Sequence, residues 1–95
     1  MMRLKLTPEW VLEKIPHTRY TDGDGNISVY TNNATNANLI ELALDSLQIN
    51  YHSFDGIDDN GELGFGFDFR IEDIKDDCPT FYQKVKEIDN KNLIN

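Results

Sequence analysis

Glu62-Leu63-Gly64-Phe65-Gly66-Phe67-Asp68-Phe69-Arg70-Ile71 is the stretch that decides how this chain folds. Its large apolar residues, Leu63, Phe65, Phe67, Phe69 and Ile71, fall at every second position, with Glu62, Gly64, Gly66, Asp68 and Arg70 between them. Successive side chains leave a strand on opposite faces, so strict alternation predicts a β-strand with one face in the core. Five such groups, at roughly 1.5–3 kcal/mol each if fully buried, would be the largest local contribution to folding.

Working outward, Ile49 to Phe54 or Ile57 reads as the preceding strand, joined through Asp58-Asp59-Asn60-Gly61. Asn60-Gly61 favours a primed hairpin turn in which both residues take positive φ, so the two strands should pair antiparallel. A second hairpin is expected from His17–Thr21, the turn Asp22-Gly23-Asp24-Gly25-Asn26, and the alternation of Ile27 and Val29 with Ser28 and Tyr30. Met2, Leu4 and Leu6 alternate with Arg3 and Lys5 and predict a short opening strand.

Thr7-Pro8-Glu9 reads as N-cap, first helical residue and first-turn acid. Trp10, Val11, Leu12 and Ile15 form that helix's apolar side, Trp10 being placed in the core, and Pro16 ends it. A longer helix is predicted over Thr35–Gln48, capped by Asn33 or Thr35. Ala37, Ile40, Ala43, Leu44 and Leu47 recur along it at three- and four-residue spacing, widened by Leu39 and Leu42. After the acidic connector Glu72–Asp77, a helix starting near Pro79 with Asp77 or Cys78 as cap directs Phe81, Tyr82, Val85 and Ile88 inward. Leu93 and Ile94 could add a last strand.

These elements make an α+β domain with a small antiparallel or mixed sheet and two main helices on one face. From Ile27 onward the order matches a ferredoxin-like split βαβ unit; counted from the first hairpin it is two ββα blocks. At 95 residues with 39% apolar content, the chain suits one domain spanning residues 1–95. No apolar run approaches the ~20 residues of a membrane span, and no signal-peptide pattern opens the chain, so a cytoplasmic protein is expected. Cys78 is the only cysteine and can form no internal disulfide.

The formal charge of −8 is concentrated: residues 20–77 carry −11, while 1–19 carry +2 and 78–95 carry +1. Such a middle repels phosphates and anionic lipid and attracts basic partners, which argues against direct nucleic-acid or membrane binding.

Several motifs invite chemistry. Gly64-Phe65-Gly66-Phe67 resembles the centre of the third-strand motif of RNA-recognition-motif domains, and Val29-Tyr30-Thr31-Asn32-Asn33 loosely resembles their first-strand motif. In that family the motif aromatics stand on the open face over an apolar underside. Here the underside would be Gly64, Gly66, Asp68 and Arg70, so Phe65 and Phe67 are assigned to the core instead. Asp22-Gly-Asp-Gly-Asn-Ile-Ser resembles the middle of an EF-hand loop, but Tyr20 and Thr31 stand where two principal ligands belong, which favours a plain turn. Cys78 with His17 or His52 suggests a nucleophile and base, yet Asp76 and Asp77 oppose a thiolate and neither histidine is near in sequence. His52 shares strand parity with Phe54 and is expected as a hydrogen-bonded residue near the core. No metal or cofactor is predicted.

Val29-Tyr30-Thr31-Asn32-Asn33 followed by Ala37, Leu39–Leu47 and Ile49 resembles the strand-helix-strand opening of small prokaryotic putative signal-transducing proteins. That resemblance implies a regulatory or binding role.

The expected function is thus a non-catalytic binding or regulatory module acting through protein contacts or self-association. Gly64, Gly66, Asp68 and Arg70 are its predicted binding face, because two glycines let another surface approach closely. The alternative is an acidic inhibitor of a nucleic-acid-binding protein, with Asp55, Asp58, Asp59, Glu62, Glu72, Asp73, Asp76 and Asp77 substituting for phosphates.

Overall fold

In the computed structural model, which describes residues 7–94 and side chains as far as Lys91, the chain runs α1 (Pro8–Lys14), β1 (Thr18–Thr21), β2 (Asn26–Thr31), α2 (Ala34–Ser46), β3 (Tyr51–Ile57), β4 (Leu63–Arg70), a 3₁₀ turn (Ile71–Ile74) and α3 (Pro79–Ile94). The expected opening strand at Met2, Leu4 and Leu6 lies outside the described residues. The four strands lie in the order β1-β2-β4-β3 and every pairing is antiparallel. β2 and β3 therefore run parallel to each other, joined through α2, with β4 between them. Exchanging the β1-β2-α2 half for the β3-β4-α3 half reproduces the same strand order.

The phenylalanine strand is β4, at the centre of the sheet. Register pairs Ile27 with Phe69, Val29 with Phe67 and Thr31 with Phe65, so these side chains share one face. That face joins a single cluster with Val11 and Leu12 of α1, Ile40 and Leu44 of α2, and Phe81 and Val85 of α3, placing all three helices on the same side. Phe67, Phe69 and Ile71 are buried as the alternation requires, but Leu63 is 59% exposed beside its partner Ile57, itself 74% exposed. The helical layer stops short of that hairpin end.

Both hairpin turns use one device. Asp22 Oδ1 accepts from the amides of Asp24 (2.8 Å) and Asn26 (3.2 Å), and Asp58 Oδ1 accepts from those of Asn60 and Glu62, both at 2.9 Å. A glycine with positive φ follows at the equivalent place in each, Gly25 (84°) and Gly61 (79°). The β3–β4 connection is a three-residue loop, with Gly61 N donating to Asp58 O and Asp58 N to Glu62 O, both at 2.9 Å. Asn60 does not take the positive φ expected of a primed turn; Gly61 alone does. Asp22 also accepts from the Asn26 side chain, and these bonds hold its carboxyl below the usual carboxylate range. This is what occupies the residue that resembles a calcium ligand.

Three long-range contacts fix the helices, and none is visible in local patterning. Glu9 Oε2 of α1 accepts from Thr80 N (3.2 Å), capping α3. Arg19 Nη2 donates to Leu12 O (2.9 Å) at the end of α1, with its guanidinium 4.6 Å from the Phe81 ring centroid. Asp89, only 3% exposed, accepts from Gly23 N at 2.8 Å and Gly25 N at 3.1 Å and ties α3 to the first hairpin turn.

Other expectations are corrected. Trp10 is 41% exposed, because Val11 and Leu12 define the buried side of α1 and the helical step turns Trp10 away from it. Ile88 lies at the surface while Asp89 points inward, four residues beyond Val85. The connector after β4 is a 3₁₀ turn that buries Ile71 and Ile74. α3 continues through Ile94, so Leu93 and Ile94 belong to a helix and not to a strand.

Candidate functional site

The three helices leave the other face of the sheet without a covering layer among the described residues. Register places Tyr20, Ser28, Tyr30, His52, Phe54, Gly56, Gly64, Gly66, Asp68 and Arg70 on it. The predicted binding residues Gly64, Gly66, Asp68 and Arg70 do share this face, but the two glycines are buried. A Cβ on Gly64 would overlap the phenol of Tyr30, with Cε1 at only 2.8 Å, and one on Gly66 would overlap the Phe54 ring, with Cε1 at 2.6 Å. The space that the missing side chains leave is filled by the protein's own rings. Tyr30 reaches from β2 over Gly64 and donates from its hydroxyl to Gly56 O on β3 (3.2 Å), so its ring lies along the sheet. Phe54, half-buried and assigned by parity to the open face, rests on Gly66.

Two recesses share Tyr20 and Ser28 and together form a groove across this face. One, of about 650 Å³, is polar: Ser28, Asn26, His52, Asp68 and Arg70 line it, with Asp22 and Asp73 at its rim. The other, of about 380 Å³, is aromatic, lined by Tyr20, Tyr30, Phe54 and Ile57 with Asp58 and Asp59. In the polar part Ser28 Oγ donates to Asp68 Oδ1, and Arg70 Nη1 donates to Asn26 Oδ1 at 3.0 Å. His52 lies across from Asp68 on the neighbouring strand and is exposed, not near the core as its parity with Phe54 had suggested, because both belong to the open face. The Ser28 hydroxyl is engaged by a carboxylate and not by an imidazole, so these residues do not form a Ser-His pair of the triad type.

No family model matches this sequence, and no curated protein or solved structure shows significant similarity to it. What the groove holds must therefore be inferred from its own residues.

The predicted acidic residues divide into two groups. Asp55, Asp58, Asp59 and Glu62 surround the β3–β4 turn, while Glu72, Asp73, Asp76 and Asp77 follow the far end of β4. The eight residues of β4 separate them by roughly 24 Å at strand rise. Asp55 pairs with Phe65 and so belongs to the helix side of the sheet.

Cys78 and the histidines are not brought together. Cys78 is fully buried, and burial, with Glu9, Asp77 and Glu13 nearby, pushes its thiol up to about 11, far from a thiolate at neutral pH. His17 has both ring nitrogens engaged, Nδ1 with Ile15 O (2.6 Å) and Nε2 accepting from Arg19 Nε (3.0 Å). That pattern fixes the neutral Nδ1–H tautomer. Burial lowers its pKa below the ordinary 6.5, with Arg19 adding to the effect and the Ile15 carbonyl opposing it. Protons then bind the unfolded chain more readily than the folded one, so stability from this site is full above about pH 6.5 and declines as pH falls toward the lower folded value. Denaturant titrations from pH 7.5 to 5 should register this decline, and the His17→Gln protein should lose less stability over the same window. Parallel pH dependence in the two proteins would contradict the assignment.

Proposed function

We propose that this protein is a non-catalytic binding module whose open sheet face holds a basic segment of a protein partner. The observation that carries the reading is the groove itself: a floor of aromatic rings pinned over glycines, with carboxylates at both ends. Asp58 and Asp59 flank the aromatic end, and Asp22 and Asp73 flank the polar end, which Asp68 and Arg70 line. The arrangement complements a short extended chain bearing cations, with the rings supplying contact area at low entropic loss. A second copy is a poor occupant, since each chain carries a net charge of −8.

The fold is best described as ferredoxin-like in strand order, with the outer strand beside β2 supplied from the N-terminal side of the chain as β1. Such a two-layer arrangement leaves one sheet face available for binding. A regulatory role, which the strand-helix-strand resemblance implies, fits a module that binds without transforming its ligand. The phosphate-mimic alternative draws less support, because its acidic residues stand at opposite ends of β4 with a groove between them. No helix among the described residues is long and apolar enough to cross a membrane.

Fluorescence anisotropy with a labelled peptide alternating arginine and serine tests the reading. Binding should weaken by roughly tenfold between low and moderate salt, as charge pairs at a wet surface are screened. The double variant Asp59→Lys/Asp73→Lys should weaken it at low salt. Affinity that is flat across salt and unchanged by the double variant would refute it.

A further inference from the structure

The groove is not uniform: one end is polar and the other aromatic. Tyr30 is held down at two points, by its hydroxyl on Gly56 O and by the bed at Gly64, so its remaining π face is turned outward. Phe54 is seated beside it on Gly66, and Tyr20, 58% exposed on β1, forms the opposite wall. Asp58 is oriented by the amides of Asn60 and Glu62 and by Asn32, whose Nδ2 lies 3.4 Å from its Oδ2; Asp59 next to it is exposed. A flat π surface next to one oriented carboxylate, Asp58, and one exposed carboxylate, Asp59, is complementary to one chemical group in particular, a planar delocalised cation. Guanidinium stacks on rings through its face while donating from its edge to a carboxylate; an ammonium is more strongly hydrated and gains less from either contact.

We infer that the recess formed by Tyr20, Tyr30, Phe54, Asp58 and Asp59 is a seat for a single arginine side chain of the basic segment. This rests on the proposed binding role and deepens it by naming the residue that the partner inserts. The recess of about 380 Å³ is open enough to take a side chain from an extended backbone lying along the groove.

Amide-resolved NMR titration of the intact chain with three small probes, N-acetyl-arginine amide, N-acetyl-lysine amide and the neutral isostere N-acetyl-citrulline amide, tests the inference. The arginine probe should give saturable shifts at Tyr20, Tyr30, Phe54 and Asp58. The lysine probe should bind about fivefold more weakly, and citrulline should leave these signals in place. Tyr20→Ser, at an exposed position where the fold is not at risk, should weaken the arginine probe about fivefold. Equal binding of arginine and lysine probes, or an unchanged arginine affinity in the folded Tyr20→Ser protein, would overturn the seat. The arginine-serine peptide separates the two readings. If it binds with shifts confined to Ser28, His52 and Asp68, the groove reading stands and the arginine seat fails; if it does not bind at all, both fail.

Discussion

Replacing Asp89 by alanine is expected to lower the unfolding free energy by roughly 2–4 kcal/mol, because two charge-assisted hydrogen bonds to backbone amides are lost at a buried position. For a domain of this size that corresponds to a fall in Tm of about 10–20 °C. Asp89→Asn, which keeps one carbonyl acceptor, should lose about half as much. The effect is large because burial removes the water that would otherwise solvate the carboxylate. Among the described residues the donations from Gly23 N (2.8 Å) and Gly25 N (3.1 Å) offset this, so the turn and α3 stabilise each other. Urea unfolding of the three proteins would decide the matter. An unfolding free energy for Asp89→Ala within about 0.5 kcal/mol of wild type would mean that the turn holds itself through Asp22 alone.

The contrast between Asp89 and β4 explains how much of the molecule was legible in its sequence. Period-two alternation is a strong signal because one register alone turns Phe65, Phe67 and Phe69 together toward the helices, and β4 with its neighbours followed from it. The pairing of the hairpins, the capping residues Thr7 and Asn33 and the span of α2 rest on equally local rules. Asp89 could have been found by extending the four-residue step from Phe81 and Val85, which lands on an acid, a residue type seldom buried unless it is paired. Glu9 capping α3 and Arg19 closing α1 join residues whose proximity exists only after folding, and no spacing rule reaches them. The same limit affected the candidate site. Parity correctly placed Gly64, Gly66, Asp68 and Arg70 away from the helices, yet whether the glycines leave an empty surface depends on what the adjacent strands project over them. Tyr30 and Phe54 sit at outward parity on those strands, and that was the available signal.

The bed-and-ring arrangement makes a prediction in which the sign of an effect reverses. Alanine at Gly64 should destabilise the protein by about 1–2 kcal/mol: the Cβ lifts the Tyr30 ring and breaks its bond to Gly56 O, and the gain of roughly 0.5–1 kcal/mol from removing a strand glycine offsets only part of that loss. In a Tyr30→Ser background the ring is absent, so the same Gly64→Ala change should become neutral or stabilising by about 0.5 kcal/mol. The implied coupling is roughly 2 kcal/mol, within the range for residues in direct contact. Gly66→Ala and Phe54→Ala should form a second cycle of the same sign. Neither glycine has positive φ, so backbone conformation gives no reason to retain them, and the rings do. Equal costs for Gly64→Ala with and without the Tyr30 ring, measured by urea unfolding of the four proteins, would show that the glycine serves strand geometry instead. A reversal would establish that the open face is built around its aromatic floor, the feature on which the proposed binding of a cationic segment depends.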